Sequence, residues 1–301
     1  MELTDKIVAV SKMQNYINAH IEEEISLDDL SRAVGYSKYY ALRIFKELTG
    51  KTPFEVIRAL RLTNAAHELR DSDSNVVNIA LKNGFDSHDG FTRAFSRQFG
   101  ITPHKYQTET PAVNWFISYP VEAYYILKDG ENIMPKEPIK RTMTVTAVER
   151  PARKLILLRS VHATEYFSFC EEMGCDCEGL LNSIPEKFDT AALLTLPANL
   201  IKPGTGNTAF GVEVPINYNK PIPDGYDMVE LPPCTMLYFH GAPYEDENDF
   251  GEAIGLLWEL MDNYNPEQYG FEYAPELAPY FNFGAQASKG AKMARPVRKI
   301  K

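Results

Sequence analysis

Arg43 and Arg93 occupy the same offset in two copies of one pattern, SKYYALRIFKELTGKTP at 37–53 and SHDGFTRAFSRQFGITP at 87–103. Ser, Arg, Phe, Gly, Thr and Pro recur in register. A guanidinium is a rigid fork of donors that grips phosphate oxygens or a guanine edge two bonds at a time. Two such forks on equal frames, fifty residues apart, suit a target that itself repeats, and the successive major grooves of one DNA duplex do so.

The frame is helical. Each copy opens on Ser at a helix start and spaces apolar residues for one buried face: Ala41, Ile44, Phe45 and Leu48 in the first, Phe91, Ala94 and Phe95 in the second. Each closes on Gly before Thr-Pro, which stops one helix and starts the next. Ahead of them the spacing predicts a long amphipathic helix over 7–24, with Val10, Met13, Ile17 and Ile21 on one face, and a short helix capped by Ser26 and ended at Gly35. Thr52-Pro53 opens a helix reaching about Arg70, whose Phe54, Ile57, Leu60 and Leu69 are placed to pack between two subdomains. The run DSDSN breaks it, helices at 76–82 and 87–99 follow, and ITPHKYQTE adds a short last one.

At 301 residues and 44% hydrophobic, the chain can bury more than one core. It has no apolar run of the roughly 18 residues that a membrane span needs and no signal-peptide pattern, so a cytoplasmic protein with no membrane partner is expected. Cys170, Cys175, Cys177 and Cys234 lack the paired spacing of a zinc site and read as reduced thiols, so neither metal nor cofactor is expected. The net charge of −10 argues against nucleic acid only on average. Residues 31–110 hold 12 basic and 8 acidic side chains, a local +4, and phosphate neutralisation depends on the face that touches.

Two helix-turn-helix units joined by a long helix, with R-x-F-x-x-x-x-G-x-T-P in both and IALKNGFDS before the second, resemble the DNA-binding domain of AraC/XylS-type transcription regulators over roughly residues 5–108. The resemblance implies a double-stranded DNA operator as partner, and RNA polymerase as well if the protein activates. It further implies that Lys38, Tyr39, Leu42, Arg43 and Lys46 of the first recognition helix face the groove, with His88, Asp89, Thr92, Arg93 and Ser96 at the matching places of the second. Arg43 suits guanine O6 and N7 and Lys46 suits phosphate, whereas Asp89 repels phosphate unless it accepts from cytosine N4 or pairs with an Arg. The competing role for Arg43 and Arg93 is a surface ion pair with Glu47 or Asp89. One chain with two recognition helices could span two grooves about 34 Å apart without a dimer.

From 111 to 141 aromatics and prolines with little periodicity read as a connector between domains at 1–110 and 142–301, with Trp115, Phe116, Tyr119, Tyr124 and Tyr125 too apolar for a free tether and expected to pack against one domain or both. Beyond it a fainter repeat appears: V-E-x-P at 148–151 returns at 229–232, an offset of 81 that also carries Pro215 onto Pro296 and sets Ala294 opposite Glu213. The expected architecture is therefore multidomain, an all-α N-terminal domain followed by an α+β domain of two strand-strand-helix-strand-strand units. Its helices are read at 165–184, broken near Gly174, and at 248–264 with Phe250, Ile254, Leu257, Trp258 and Met261 as the buried stripe.

FGVEVP at 210–215, MVELPPCTMLYFHGAPYED at 228–246 and RPVRKI at 295–300 make this half similar to GyrI-like, SHS2-type domains. That resemblance implies a small-molecule effector, apolar and often cationic, held beside aromatic rings and a buried carboxylate. Glu213 is the candidate acid, since a carboxylate in an apolar strand is costly unless it is hydrogen-bonded or meets a cation. Tyr238, Trp258 and Tyr280 are the candidate rings. No nucleophile and base stand at diagnostic spacing, so no enzyme is expected. The alternatives are a GyrI-like hydrolase using Glu213 with a tyrosine, and a constitutive DNA binder without ligand.

Overall fold

The computed structural model describes residues 3–122, 124, 125, 139–174 and 176–300. The chain divides into two compact units, Met1–Pro135 and Lys136–Lys301.

The first unit is helical: α1 (Leu3–Ala19), α2 (Leu27–Val34), α3 (Lys38–Thr49), α4 (Pro53–Asp71), α5 (Val76–Lys82), α6 (His88–Phe99) and α7 (Pro103–Glu109). Local chemistry fixes their ends. Ser26 and Thr52 form capping boxes with Asp29 and Glu55, Ser37 and Ser87 cap α3 and α6, and Gly50 and Gly100 end both in the left-handed region at φ 73° and 72°. α1 stops earlier than its apolar pattern suggests, because Glu22, Glu23 and Glu24 would set three negative charges at the negative end of the helix dipole.

Two cores form. Val10, Met13, Ile17, Leu30, Ile44 and Phe45 fill the first, and Leu62, Leu69, Ile79, Phe91, Phe95 and Tyr106 the second. α4 serves both, giving Val56 and Ile57 to the first and Leu62, Ala65, Ala66 and Leu69 to the second.

The stretch after α7 belongs to this unit in its first part. Val113 and Trp115 are buried in the second core and Val121 in the first, with Phe116 packed beside it. The backbone is tied down as well: Phe116 N–H donates to Thr63 Oγ1 at 2.9 Å, and the Gln14 amide donates to Tyr119 O and accepts from Val121 N–H. The sequence boundary at 110 therefore falls short. Its aromatics are core, because burying a large ring outweighs the entropy of fixing a few residues. Residues 126–138 of that stretch, and Cys175, lie outside the described residues.

The second unit contains β1 (Met143–Arg150), β2 (Arg153–Arg159), α8 (Tyr166–Met173), α9 (Asp176–Asn182), β3 (Ala192–Thr195), β4 (Thr208–Pro215), β5 (Asp227–Leu231), β6 (Cys234–Gly241), α10 (Phe250–Asp262), β7 (Phe271–Tyr273), β8 (Tyr280–Gln286) and β9 (Gly290–Lys299). The strands make one antiparallel sheet in the order β1-β6-β9-β8-β3-β4-β2-β5, with the short, unanticipated β7 on β9.

The sheet must curl. Flat, β1 and β2 would stand about 29 Å apart at about 4.8 Å per strand, yet only Pro151 and Ala152 join them. Contacts show the closure: Arg153 Nη1 of β2 donates to Pro232 O at 2.8 Å and its Nη2 lies 3.5 Å from Cys234 Sγ of β6. The helices cover the outside. Phe210 meets Tyr166 and Phe169 of α8, while Leu237, Phe239 and Met293 pack with Leu257 and Met261 of α10. The ladder Phe210↔Leu193↔Asn282↔Met293 puts all of these on one face. The inner, concave face carries Leu155, Leu157, Leu194, Met236, Tyr238 and Phe281.

The offset of 81 carries the pair Arg150↔Cys234 onto Leu231↔Arg153. It fails in β9. Leu155 faces Glu213, whereas Met236, 81 residues on, faces Pro296. Glu213 thus answers to Pro296 and not to Ala294, and the Pro215–Pro296 match is a slip of two residues.

Candidate functional site

On α3 the buried side is Ala41, Ile44 and Phe45, and on α6 it is Phe91 and Phe95. The helical period then turns Lys38, Tyr39, Arg43 and Lys46 outward, with Leu42 half-buried at their edge, and likewise His88, Asp89 and Arg93 with Thr92 and Ser96 half-buried. Tyr39 is 89% exposed, an aromatic ring left in water on a face that otherwise carries cations.

Neither proposed ion pair forms. Glu47 is taken by Lys6 at 2.5 Å and Asp89 lies 3.6 Å from His88 Nδ1, so Arg43 and Arg93 have no ion-pair partner among the described residues. Arg43 instead rests over the Tyr40 ring at 5.0 Å. Lys38 is engaged, 2.6 Å from Asp28 at the start of α2.

A further arginine fixes the two halves of the helical unit to each other. Arg61 of α4 donates from Nε to Ile21 O at 2.9 Å and from Nη2 to Glu23 O, both ahead of α2, while its guanidinium lies against Gly84 in the turn between α5 and α6. Gly84 has φ +72°, a conformation that favours glycine, and a Cβ there would fall 2.6 Å from Arg61 Nη1 and push the guanidinium aside. Beside this joint lies a recess of about 470 Å³ lined by Arg58, Arg61, Arg93 and Arg97 with Glu24 and Asp86. Sequence reasoning passed over Arg58, Arg61 and Arg97. Arg58 and Arg61 stand outside the repeat and Arg97 replaces the acid Glu47 of the first copy, so only the fold gathers them.

In the second unit Glu213 is 4% exposed and already has cations. Arg153, fully buried, donates from Nε to its Oε1 at 2.5 Å, and Arg150 Nε lies 3.7 Å from its Oε2. Burial pushes the Glu213 carboxyl up while Arg153 and Arg150 pull against it. Arg150 Nη2 donates to Tyr238 Oη at 2.5 Å, and burial raises that phenol to about 12. Lys292 Nζ bonds both oxygens of Asp189 at 2.6 and 2.7 Å and sits over the rings of Tyr238 and Phe283 at 5.1 and 4.6 Å. As a base beside a tyrosine, Glu213 would be poorly placed, since guanidinium groups hold it and Arg150 is bonded to that tyrosine.

The four effector candidates do not converge. Glu213 and Tyr238 meet through Arg150 on the concave face, whereas Trp258 and Tyr280 lie on the helix-covered side around Arg295, whose guanidinium is 5.2 Å from each ring centre. Strand alternation is the reason: Phe281 faces inward with Ala294, so Tyr280 faces out. Arg150, Arg153, Asp189 and Lys292 went unrecognised in the sequence. The available signal was Arg153, two residues ahead of the apolar run LILL at 155–158 and complementary to Glu213.

Among the described residues no helix is long and apolar enough to cross a membrane, and no three His, Cys, Asp or Glu side chains are grouped to hold a metal ion.

Residues 30–109 match the helix-turn-helix domain family. Over 92 residues, 31% of this chain, the sequence is 44% identical to the Transposon Tn10 TetD protein of Escherichia coli, covering 67% of that protein. It is 40% identical over 92 residues to the Right origin-binding protein of Escherichia coli K12, of which the match spans only 32%. The Multiple antibiotic resistance protein MarA of Salmonella typhimurium is 32% identical over 100 residues, which are 33% of this chain and 79% of MarA. With the duplicated recognition helices and their outward cations, these matches establish that the chain belongs to the AraC family of helix-turn-helix transcription regulators.

Proposed function

We propose that the protein is a ligand-responsive transcription regulator: α3 and α6 of one chain enter successive major grooves of an operator, and the C-terminal unit senses a small molecule with an apolar body. The observation that carries the DNA half is the pair of equivalent guanidiniums, Arg43 and Arg93, that find no acid among the described residues. Arg58 and Arg97 would meet the phosphates that bridge the two grooves, and the local positive charge adds a salt-dependent attraction.

Support for the C-terminal half comes from its topology. Exchanging β1 with β5, β2 with β6, β3 with β8 and β4 with β9 returns the same strand order read backwards, as two copies of one strand-strand-helix-strand-strand unit would. Such a pair, similar to GyrI-like domains, would take its ligand between its halves, on the concave face.

Selection of duplexes from a random pool by the full chain tests the DNA half. The reading expects two unequal motifs about 10–10.5 base pairs apart, bound by one chain. A palindrome bound only by two chains would overturn it. Repeating the selection with apolar compounds present asks whether occupancy changes.

A further inference from the structure

The polar cluster on the concave face holds more positive than negative charge. Arg150, Arg153 and Lys292 face Glu213 and Asp189, three cations against two acids, a surplus of one. His240, stacked on Tyr238, does not reverse this, because burial and the neighbouring Lys292 both lower its pKa and leave the imidazole neutral. Protonation of Glu213, which its burial favours, would only enlarge the surplus.

The groups that would welcome a cation are taken. Lys292 and Arg150 already lie over the Tyr238 ring, Lys292 lies over Phe283, and Arg153 bonds Glu213. Spare capacity is on the donor side: Arg150 Nε is buried without a hydrogen-bond acceptor, and the Tyr238 hydroxyl, which accepts from Arg150, has its own proton to give.

The cluster is also one-sided. The ladders set Arg150, Arg153, Tyr238, Glu213 and Lys292 at places whose counterparts in the other half are Leu231, Cys234, Leu157, Pro296 and Ala209. Each polar residue departs from an apolar or small one. The five thus gather around one of two places that the exchange makes equivalent, with side chains supplied by both copies.

We propose that the concave face binds a small organic anion, an acid group on an apolar body, with the anionic group held by Lys292, Arg150 and the Tyr238 hydroxyl and the body on the surrounding apolar strands. This rests on reading the C-terminal unit as the sensing half. Asp189 is the internal competitor. It is 21% exposed in the loop between α9 and β3 and bonded to a Lys292 that is 28% exposed, whereas Glu213 and Arg153 are sealed beneath. An incoming acid displaces Asp189 from Lys292 and leaves the buried pair intact.

Calorimetry on the full chain with naphthylacetate, naphthylacetamide and naphthylethylamine tests this, since one apolar body then carries a negative, a neutral and a positive head. Naphthylacetate should bind about ten-fold tighter than the amide, with the amine weakest. Lys292→Met should abolish the preference for acid over amide, and Asp189→Asn, which removes the competitor, should tighten naphthylacetate alone. Tightest binding by the amine, or equal loss of all three in Lys292→Met with no gain in Asp189→Asn, would overturn the anion and leave sensing in place. Binding of none of the three would remove the sensing reading together with the proposal.

Discussion

α3 and α6 share a frame and differ in what they show the groove. At matching offsets Lys38 stands against His88, Tyr39 against Asp89, Lys46 against Ser96 and Glu47 against Arg97, while Arg43 and Arg93 coincide. The buried side changes by compensation: Ala41 and Ile44 become Phe91 and Ala94 around the constant Phe45 and Phe95, so bulk moves by one turn and the core stays filled. Packing constrains one face of each helix and leaves the other to the ligand. On the proposed docking, the first helix would therefore carry more of the phosphate attraction, with Asp89 on the second working against it.

The comparison breaks most visibly if the two cores are not independent. Phe45→Ala and Phe95→Ala should each destabilise by about 3–5 kcal/mol, since both rings are fully buried. Hydrogen exchange should place the loss in α1–α3 for the first and in α5–α7 for the second. Loss of protection everywhere from either change would mean that α4 fuses the cores into one cooperative block.

Next in size is the joint. Arg61→Ala removes two charge-assisted bonds to the Ile21 and Glu23 carbonyls, about 1.5–3 kcal/mol of fixing the relative setting of the two helix-turn-helix halves. Base preference within each motif should survive while tolerance for altered motif spacing widens. Unchanged spacing selectivity would take Arg61 out of that role.

The contrast between the units also explains what the sequence could reveal. Helix starts and stops were legible because Ser26, Ser37, Thr52 and Ser87 act on the backbone within three residues of themselves. The groove faces were legible because a helix repeats every turn. Trp115 was not: it belongs to a core made by residues far earlier, against His67 at 3.6 Å and Arg70 at 4.7 Å. The exchanged strands of the sheet were hidden for a related reason. Pro151 and Pro232-Pro233 remove the turn geometry of a two-residue hairpin, so each strand passes its sequence neighbour and pairs in the other half. Glu213 announced a cost without its remedy, because Arg153 is sixty residues away in sequence and adjacent only after β2 and β4 pair.

Smaller than the joint in its effect on fold, but sharper on recognition, is the coincident pair. Arg43→Ala should weaken operator binding by about 1–3 kcal/mol and relax preference at one base, and Arg93→Ala should do the same at the second motif. Lys46→Ala should weaken all sequences alike and lower the salt slope by about 1. Competition between single-base operator variants separates these outcomes, and an unchanged profile in Arg43→Ala would exclude that residue from base readout.

The smallest effect concerns Asp89, the residue at which the two faces differ in sign. His88 lies 3.6 Å from it and both side chains are exposed, so water screens the contact and the carboxylate keeps its charge toward any phosphate nearby. If that charge only repels, Asp89→Asn should tighten binding by less than about 1 kcal/mol, equally for every base in the second motif and more at low salt. If it accepts a bond from cytosine N4, the same change should weaken the operator and shift preference at one position, since an amide presents donors where the carboxylate presented none. Titrations of Asp89→Asn against second-motif variants at two salt concentrations distinguish the two. A uniform, salt-sensitive gain makes α6 the weaker copy of α3, and a loss confined to cytosine makes it a reader with a different code.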